Sequence, residues 1–284
     1  MNELASTCAN CGHVLAGDYC SRCGQHAIDL HRPFSSLVAD AVGDLLNLDT
    51  RLLRTLRPLM LKPGQVAKEF IAGRRIAHVP PLKSYLIAAV VFFSLFTIFP
   101  SRAPVRVLVQ GSPEQEAARN ERRGRTTFSL PPHISVYDGW YQGAVARAMK
   151  QPEEFAHAVY SNVPRAFFFL VPVFALFLEV LYRKQGFLID HLVFALYYHA
   201  FVFLDFSLLF LAARSGPYLT GIGAAVLGLV LTGWLFAYLP TALRRVYGGS
   251  RLMTGFKFTA LGMLYVFAFV ATVPVIFAVA LLQF

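Results

Sequence analysis

The sequence lacks the short motifs that identify most enzyme classes. It contains no nucleophile elbow, phosphate-binding loop, HExxH helix or paired-carboxylate motif. It has no cysteine after Cys23, and the stretch before the first cysteine, Met1–Thr7, is too short and too polar for the apolar core of a signal peptide. No reaction is therefore indicated, and we expect the N-terminus to stay in a reducing cytosol, where disulfides are rare.

Apolar residues, in contrast, are abundant. They make up 56% of the chain, against about 45–50% in an average soluble domain, and the excess lies in separate blocks after Lys83. The formal net charge is +10, but the basic residues mainly flank these blocks, which is a pattern of membrane topology rather than of nucleic-acid recognition. The composition predicts an all-α polytopic membrane protein with membrane lipids, and not nucleic acid, as partners.

The four cysteines form two Cys-x-x-Cys pairs near the N-terminus: Cys8 with Cys11, and Cys20 with Cys23. Each pair directs two sulfurs at one point, and two such pairs close a tetrahedral thiolate site, so residues 1–31 are predicted to be a cytoplasmic zinc ribbon with structural Zn²⁺. A domain this small buries little core, so metal binding should supply most of its folding free energy. The alternative is a redox pair or two disulfides.

Residues 32–82 are predicted to form amphipathic helices at the cytoplasmic face of the membrane. Apolar residues recur at three- and four-residue steps from Pro33 to Leu61, which is helical periodicity. Basic side chains accompany these helices, and we interpret them as contacts to the phosphates of anionic lipids. They are Arg51, Arg54, Arg57, Arg74 and Arg75. The alternative is that the apolar face packs on the transmembrane bundle.

About five transmembrane helices are predicted, because a crossing needs roughly 20 apolar residues. The predicted spans are residues 83–99, 163–181, 190–213, 217–239 and 258–282, and residues 100–162 are predicted to form a helical loop outside the membrane. Basic residues concentrate before the first span, between the second and third, and between the fourth and fifth. This distribution predicts a cytoplasmic N-terminus and an extracytoplasmic C-terminus.

The third predicted span carries polar side chains where hydrocarbon is expected. At 100° per residue, His191, Tyr198 and Asp205 fall within about 40° of one another, and His199 lies about 80° to the side. Asp205 has no basic residue one turn away, and an isolated buried carboxylate tends to take up a proton. Glu179, near the inner end of the second span, could pair with Arg183 four residues later, or it could reach Asp190 or His191 across a short loop.

Two interpretations of these five residues remain open. They could line a hydrated pocket or proton-coupled path, because polar groups inside a membrane usually mark function, or they could make interhelical hydrogen bonds worth about 0.6 kcal/mol each. The first favours transport or binding of a small polar or lipid-like ligand, with the ribbon as a docking or regulatory module for a cytosolic protein partner. The alternatives are an intramembrane enzyme acting on lipid headgroups and a scaffold that recruits a partner through the ribbon.

Several segments resemble an uncharacterised family of bacterial inner-membrane proteins with an N-terminal zinc ribbon. The resemblance lies in CANCGHVLAGDYCSRCGQH, LKPGQVAKEFIAGRRIAHVPPLKSYL, DHLVFALYYHAF and YLPTALRRVYGGS. It covers the ribbon, the region before the first span and the C-terminal bundle, and it is weakest across residues 100–162. It implies an inner-membrane location and a zinc ribbon, and it implies no particular reaction.

Overall fold

The computed structural model describes residues 7–26, 51–99, 143–145, 147–148, 150–215 and 221–283. These residues are mainly helical, and within them the only extended pairing is two isolated β-bridges in the N-terminal ribbon. The all-α prediction is confirmed for this part of the chain. The helices are α1 (Leu52–Leu61), α2 (Gln65–Ile71), α3 (Pro81–Ile98), α4 (Pro152–Tyr182), α5 (Leu188–Arg214), α6 (Gly221–Tyr247) and α7 (Arg251–Leu282). Most of the predicted outer loop and the apolar stripe before Leu52 lie outside the described residues.

Four helices are long and apolar enough to cross a membrane by length and composition: α4, α5, α6 and α7. They coincide with four of the predicted spans, and they indicate a membrane protein. α4 extends the second predicted span back to Pro152 as one helix of 31 residues. α3 is a shorter apolar helix, so the first predicted span stays a prediction.

The chain divides into two compact units. The first comprises Met1–Ile98 and Phe168–Phe269, and the second comprises Phe99–Phe167 and Val270–Phe284. Within the second unit, the side-chain amide of Asn162 donates a hydrogen bond to Gln283 Oε1 at 2.9 Å. All the predicted zinc, lipid-contact and intramembrane residues belong to the first unit.

Helix α5 is the centre of the first unit. Of its most apolar window, 61% is buried, against 11% in α6 and 6% in α7. α3 and α6 pack along it, through Phe203 stacked 5.2 Å from Phe92 and through Phe201 stacked 3.5 Å from Tyr238 between ring centroids. The exposed apolar faces of α6 and α7 are what helices facing lipid require.

The start of α5 is set by its own sequence. Phe187 is extended, and its backbone N–H donates to Asp190 Oδ2 at 3.0 Å, which is half of a capping box. Because this carboxylate accepts a free N–H of the first turn, Asp190 is buried at a helix end without being left unsatisfied. The short α4–α5 turn then brings the end of α4 beside the first turns of α5.

The short helices α1 and α2 lie on α6. The C-terminal carbonyls of a helix lack intrahelical partners, and side chains of α6 donate to three carbonyls at and just after the end of α1. The pairs are Trp234 Nε1 with Met60 at 2.8 Å, the Tyr238 hydroxyl with Leu59 at 2.8 Å, and Arg245 Nη1 with Pro63 at 2.5 Å. α1 therefore packs on the bundle along one edge.

The other edge of α1 is open. Leu53 and Leu61 are 78% and 63% exposed, and Arg54 and Arg57 are exposed beside them. The packing interpretation therefore describes one face of α1. The opposite face presents leucines and arginines, and its contact with lipid stays a prediction.

Candidate functional site

The four cysteines come together at one point. Their sulfur atoms all lie within 4.8 Å of one another, and the pairs Cys8–Cys23 and Cys11–Cys20 are each 3.6 Å apart. A tetrahedral site with Zn–S bonds of about 2.3 Å has sulfur–sulfur edges of about 3.8 Å, whereas a disulfide needs about 2.05 Å. The cluster therefore fits a metal ion and does not contain a disulfide.

The two Cys-x-x-Cys turns have the same backbone. The N–H of Gly12 donates to Cys8 O and the N–H of Gly24 donates to Cys20 O, both at 2.8 Å. Both glycines have a φ of 73°, which is the left-handed region that glycine enters without a steric cost. Backbone N–H groups of His13 and Gln25 point at Cys11 and Cys23, and such bonds favour the thiolate, which is the metal-binding form. The bond from Gln25 lowers the pKa of Cys23 to about 6, whereas at Cys11 the bond from His13 is outweighed by desolvation and the neighbouring thiols, which raise the pKa to about 12.

The ribbon is seated on the loop of residues 73–80, which connects α2 to α3. Gln25 Nε2 donates to Gly73 O at 2.7 Å, and Gln25 Oε1 accepts from the N–H groups of Arg75 at 3.1 Å and Ile76 at 3.3 Å. Gly73 has a φ of 84°, and a Cβ there would lie 2.7 Å from Ala9 Cβ. Side chains of the ribbon thus lie in close contact with the backbone of loop 73–80.

The same loop is held from the other side by three helices. The Thr55 hydroxyl accepts from Val79 N–H at 2.8 Å, and Val79 O accepts from the Tyr197 hydroxyl at 2.6 Å. His78 contacts Glu69 at 2.6 Å between Nε2 and Oε2. Burial opposes ionisation of Glu69, but the hydrogen bonds from His78 and Gln65 outweigh it and hold the pKa of Glu69 below its usual value.

The predicted lipid-contact arginines divide into two groups. Arg54, Arg57 and Arg74 are exposed. Arg51 instead donates from Nη1 to Ile76 O at 3.3 Å, and the Arg75 guanidinium lies 5.6 Å from the centroid of the Phe70 ring. Two of the five therefore have partners within the protein.

His191 lies where the ends of α4, α5 and α6 meet, and it is fully buried. Its Nδ1 is 2.8 Å from the Tyr247 hydroxyl, and its Nε2 is 3.4 Å from Glu179 Oε2. Lys257 of α7 comes close as well, since its ammonium group lies 3.9 Å from the centroid of the Tyr182 ring. The structure thus brings Glu179 close to His191, which is one of the three partners that the sequence left open for it, and Tyr247 contacts the same histidine.

His199 lies two turns further along α5, with partners of its own. Its Nδ1 is 2.8 Å from Ala195 O, and its Nε2 is 2.7 Å from the Tyr265 hydroxyl on α7. A carbonyl can only accept, so Nδ1 carries a proton, and in the neutral imidazole Nε2 accepts from the tyrosine. Both ring nitrogens of this buried histidine are therefore satisfied.

Tyr198 borders a small cavity between α5, α6 and the α1–α2 turn. Its ring stacks 5.3 Å from Phe174, and it lines a cavity of about 10 Å³ together with Tyr197, Tyr238 and Gly64. This is about the size of one water molecule. No hydrogen bond reaches the Tyr198 hydroxyl from the described residues.

Asp205 is fully buried, and neither of its carboxylate oxygens has a hydrogen-bond partner within the described residues. A buried polar group without a hydrogen-bond partner destabilises the folded state. In a native structure, such a group is therefore expected to bind a proton, an ion, a water molecule or a ligand. The neighbouring Ser207 is buried too, but its hydroxyl donates to Phe203 O at 2.7 Å. Asp205 thus differs from Asp190 and Ser207 of the same helix, whose side chains do have hydrogen-bond partners.

The five predicted intramembrane residues, Glu179 on α4 and the other four on α5, therefore lie in separate surroundings. Glu179 and His191 are together, Tyr198 and His199 are neighbours with different partners, and Asp205 is alone. Within the described residues no hydrogen bond joins one group to the next, so a continuous path stays a prediction. Residues missed by the sequence reasoning are Gln25, Tyr197, Tyr238, Tyr247 and Tyr265. Tyrosines inside apolar helices were the available signal for the last four.

One family model matches the chain, and it covers residues 49–93, with the description Protein of unknown function (DUF3667). The matched residues include α1, α2, loop 73–80 and most of α3, which is well under half of the chain. The search of curated proteins finds no match, and neither does the search of solved structures. The family match, the cysteine cluster and the four apolar helices are consistent with the resemblance described above.

Proposed function

We propose that this chain is an integral membrane protein that binds or transports a small polar or lipid-like ligand, with its zinc ribbon as a docking and regulatory module. The observation that carries this proposal is that Asp205 of α5 is fully buried and that its carboxylate has no hydrogen-bond partner among the described residues. Burying such a group without compensation is costly, and a ligand or a proton would remove that cost.

The chemistry of Asp205 narrows the ligand. An ionised carboxylate only accepts hydrogen bonds, so the complementary group is a cation, an ammonium group or a hydroxyl. Small cations and the amino-alcohol headgroups of lipids offer such groups. Most of the surrounding helix surface is apolar, which suits a ligand with a lipid-like portion.

The proposed arrangement in the membrane has α3 as a fifth span and places the ribbon in the cytoplasm of a bacterial cell. The ends of α4 and α6 and the starts of α5 and α7 then face the cytoplasm, as Arg183, Lys184, Arg244 and Arg245 favour. The C-terminus is extracytoplasmic. Arg54, Arg57 and Arg74 bind the phosphates of anionic lipids at the inner surface, and the four cysteines hold Zn²⁺.

The test of ligand binding is thermal unfolding of the purified protein in detergent against a panel of probes: Na⁺, K⁺, ethanolamine, choline and glycerol. A ligand present at 100 times its dissociation constant stabilises the folded state by about 2.7 kcal/mol. We expect at least one cationic or amino-alcohol probe to raise the unfolding temperature of the wild type, and we expect Asp205→Asn to abolish this increase.

Asp18→Asn is the matched control, because Asp18 is exposed in the ribbon and the chemical change is the same. It should respond to the probes as the wild type does. The proposal fails if Asp205→Asn is stabilised by the same probe to the same extent. A variant that no longer folds would instead indicate that Asp205 serves packing.

A second candidate function is an enzyme acting on lipid headgroups, and the Tyr247–His191–Glu179 line favours it. A histidine between a hydroxyl and a carboxylate is the arrangement used for general acid–base catalysis. The Glu179 side chain is 35% exposed while the His191 side chain is fully buried, although the carboxylate oxygen that faces His191 is itself buried. His199 and Asp205 are further acid–base candidates.

Lipid analysis of cells distinguishes this candidate from ligand binding. A deletion strain complemented with His191→Gln should accumulate the same lipid as the deletion strain, whereas complementation with the wild type should restore the normal profile. Identical lipid profiles in all strains would argue strongly against the enzyme.

A further inference from the structure

Gln25 is the contact through which the cysteine cluster reaches the rest of the protein. It lies two residues after Cys23, and its side chain makes three hydrogen bonds to the backbone of loop 73–80. One amide group thus uses both its donor and its acceptor on backbone groups within four residues of a distant segment. The loop residues Gly73, Arg75 and Ile76 are 48 to 51 positions away along the chain.

The position of Gln25 depends on the cysteine cluster. Its backbone carbonyl accepts from Cys20 N–H at 2.9 Å, which closes the second Cys-x-x-Cys turn. Few residues of the ribbon are buried apart from Cys8 and Cys20, so apolar packing cannot hold this turn, and metal binding has to supply its stability. Without the metal, the backbone that orients the Gln25 side chain is not held.

The other face of loop 73–80 belongs to the bundle. Val79 is fully buried between Thr55 of α1 and Tyr197 of α5, and the loop leads directly into α3. Tyr197 precedes Tyr198 and His199 in α5, and its ring lines the same small cavity as Tyr198. Loop 73–80 is therefore a short segment that is hydrogen-bonded to Gln25 of the ribbon at one end and to Thr55 and Tyr197 at the other.

We infer that metal binding at the four cysteines fixes loop 73–80 through Gln25, so that the ribbon acts as a metal-dependent latch on the start of α3 and the middle of α5. The latch is inferred from the contacts of Gln25, Val79 and Tyr197 alone. Only the further step, that the latch regulates the ligand site, rests on the proposed function. Coupling of this kind is reciprocal. The docked loop strengthens metal binding by the same factor by which the metal favours docking.

Hydrogen exchange of the full-length protein in detergent tests the latch, with Zn²⁺ bound and after treatment with EDTA. The N–H groups of Arg75 and Ile76 are direct reporters, because Gln25 Oε1 is their acceptor. Removing hydrogen bonds of ordinary strength changes an equilibrium by about tenfold or more. We expect exchange of these two amides in the wild type to accelerate at least about tenfold when the metal is removed, while α5 stays protected.

Gln25→Ala should show fast exchange at both positions with and without Zn²⁺, and it should bind Zn²⁺ about tenfold more weakly. Gln25→Glu keeps the acceptor for both N–H groups, so it should retain more zinc-dependent protection than Gln25→Ala. Gln185→Ala removes an exposed glutamine from the α4–α5 turn and should behave as the wild type.

The inference is overturned if EDTA releases the metal and exposes the amides of Gly12 and Gly24, yet leaves Arg75 and Ile76 as protected as before. It is also overturned if α5 loses protection together with the loop, since the effect would then be global unfolding. Neither result depends on the ligand probes used with Asp205→Asn. A failure of the latch and a failure of ligand binding are therefore distinguishable.

Discussion

Replacing Gly64 with alanine tests how the α1–α2 turn is seated on the bundle. Gly64 has a φ of 71°, and a Cβ at this position would lie 2.8 Å from Ala242 O and 2.9 Å from Ala242 Cα. Both atoms belong to the backbone of α6, which cannot swing away as a flexible side chain can. The turn or the helix must therefore shift to admit a single methyl group.

The expected cost has two parts. A non-glycine residue in the left-handed region costs about 1–2 kcal/mol, and overpacking a tight contact costs about 1–3 kcal/mol. Gly64→Ala should therefore lower the free energy of unfolding by about 2–5 kcal/mol. The shift should also weaken the bonds from Trp234 and Tyr238 to the end of α1, because the turn carries that end of the helix.

Gly248→Ala separates the two parts. Gly248 also has a positive φ, of 73°, but nothing lies within 4 Å of the Cβ position. This variant should lose only the backbone part, about 1–2 kcal/mol. The measurement is reversible denaturant unfolding in detergent followed by tryptophan fluorescence. Equal losses in the two variants would refute the reasoning, because they would show that the turn is not pressed against α6.

Two further changes test the same region. Tyr238→Phe keeps the ring stacked on Phe201 but leaves the buried Leu59 carbonyl without its hydrogen-bond donor. It should therefore lower the free energy of unfolding by about 1–3 kcal/mol. The control is Tyr160→Phe at an exposed position, which should leave the free energy of unfolding almost unchanged. Because the folded-state pKa of Glu69 lies below its unfolded value near 4.5, its contribution is present above that value and is lost as pH falls through the folded pKa. Glu69→Gln should flatten the acid side of the stability–pH profile below about pH 4.5, and an unchanged profile would show that Glu69 does not make this contribution.

The helices that could be predicted from the sequence are those whose pattern is long and local. Runs of about 20 apolar residues need no tertiary partner to be recognised, because every backbone polar group in a bilayer has to be satisfied within its own helix. α4 to α7 follow this rule. The first predicted span is shorter, and length and composition alone do not place it in the same class.

The cysteine cluster could equally be predicted from the sequence. Two Cys-x-x-Cys turns fix the direction of two sulfurs each within four residues, so the ligand geometry is mostly local. The Glu179–His191 contact was one of three pairings that the sequence left open, since a short turn joins the two helix ends that carry these residues. The tyrosines that complete the two histidine environments could not, because Tyr247 and Tyr265 lie 56 and 66 positions from their partners.

The amino-acid sequence alone determined a helical membrane chain, a cluster of four cysteines that could hold one metal ion, and an unusual set of polar groups on one apolar helix. Each of these depends on residue type and short-range spacing. The tertiary structure decided that α5 is central, that Asp205 lacks a partner among the described residues, and that Gln25 joins the ribbon to loop 73–80. These features depend on which groups from distant parts of the chain meet in the folded protein. The physical reason is that packing, and not distance along the sequence, decides which donor lies beside which acceptor.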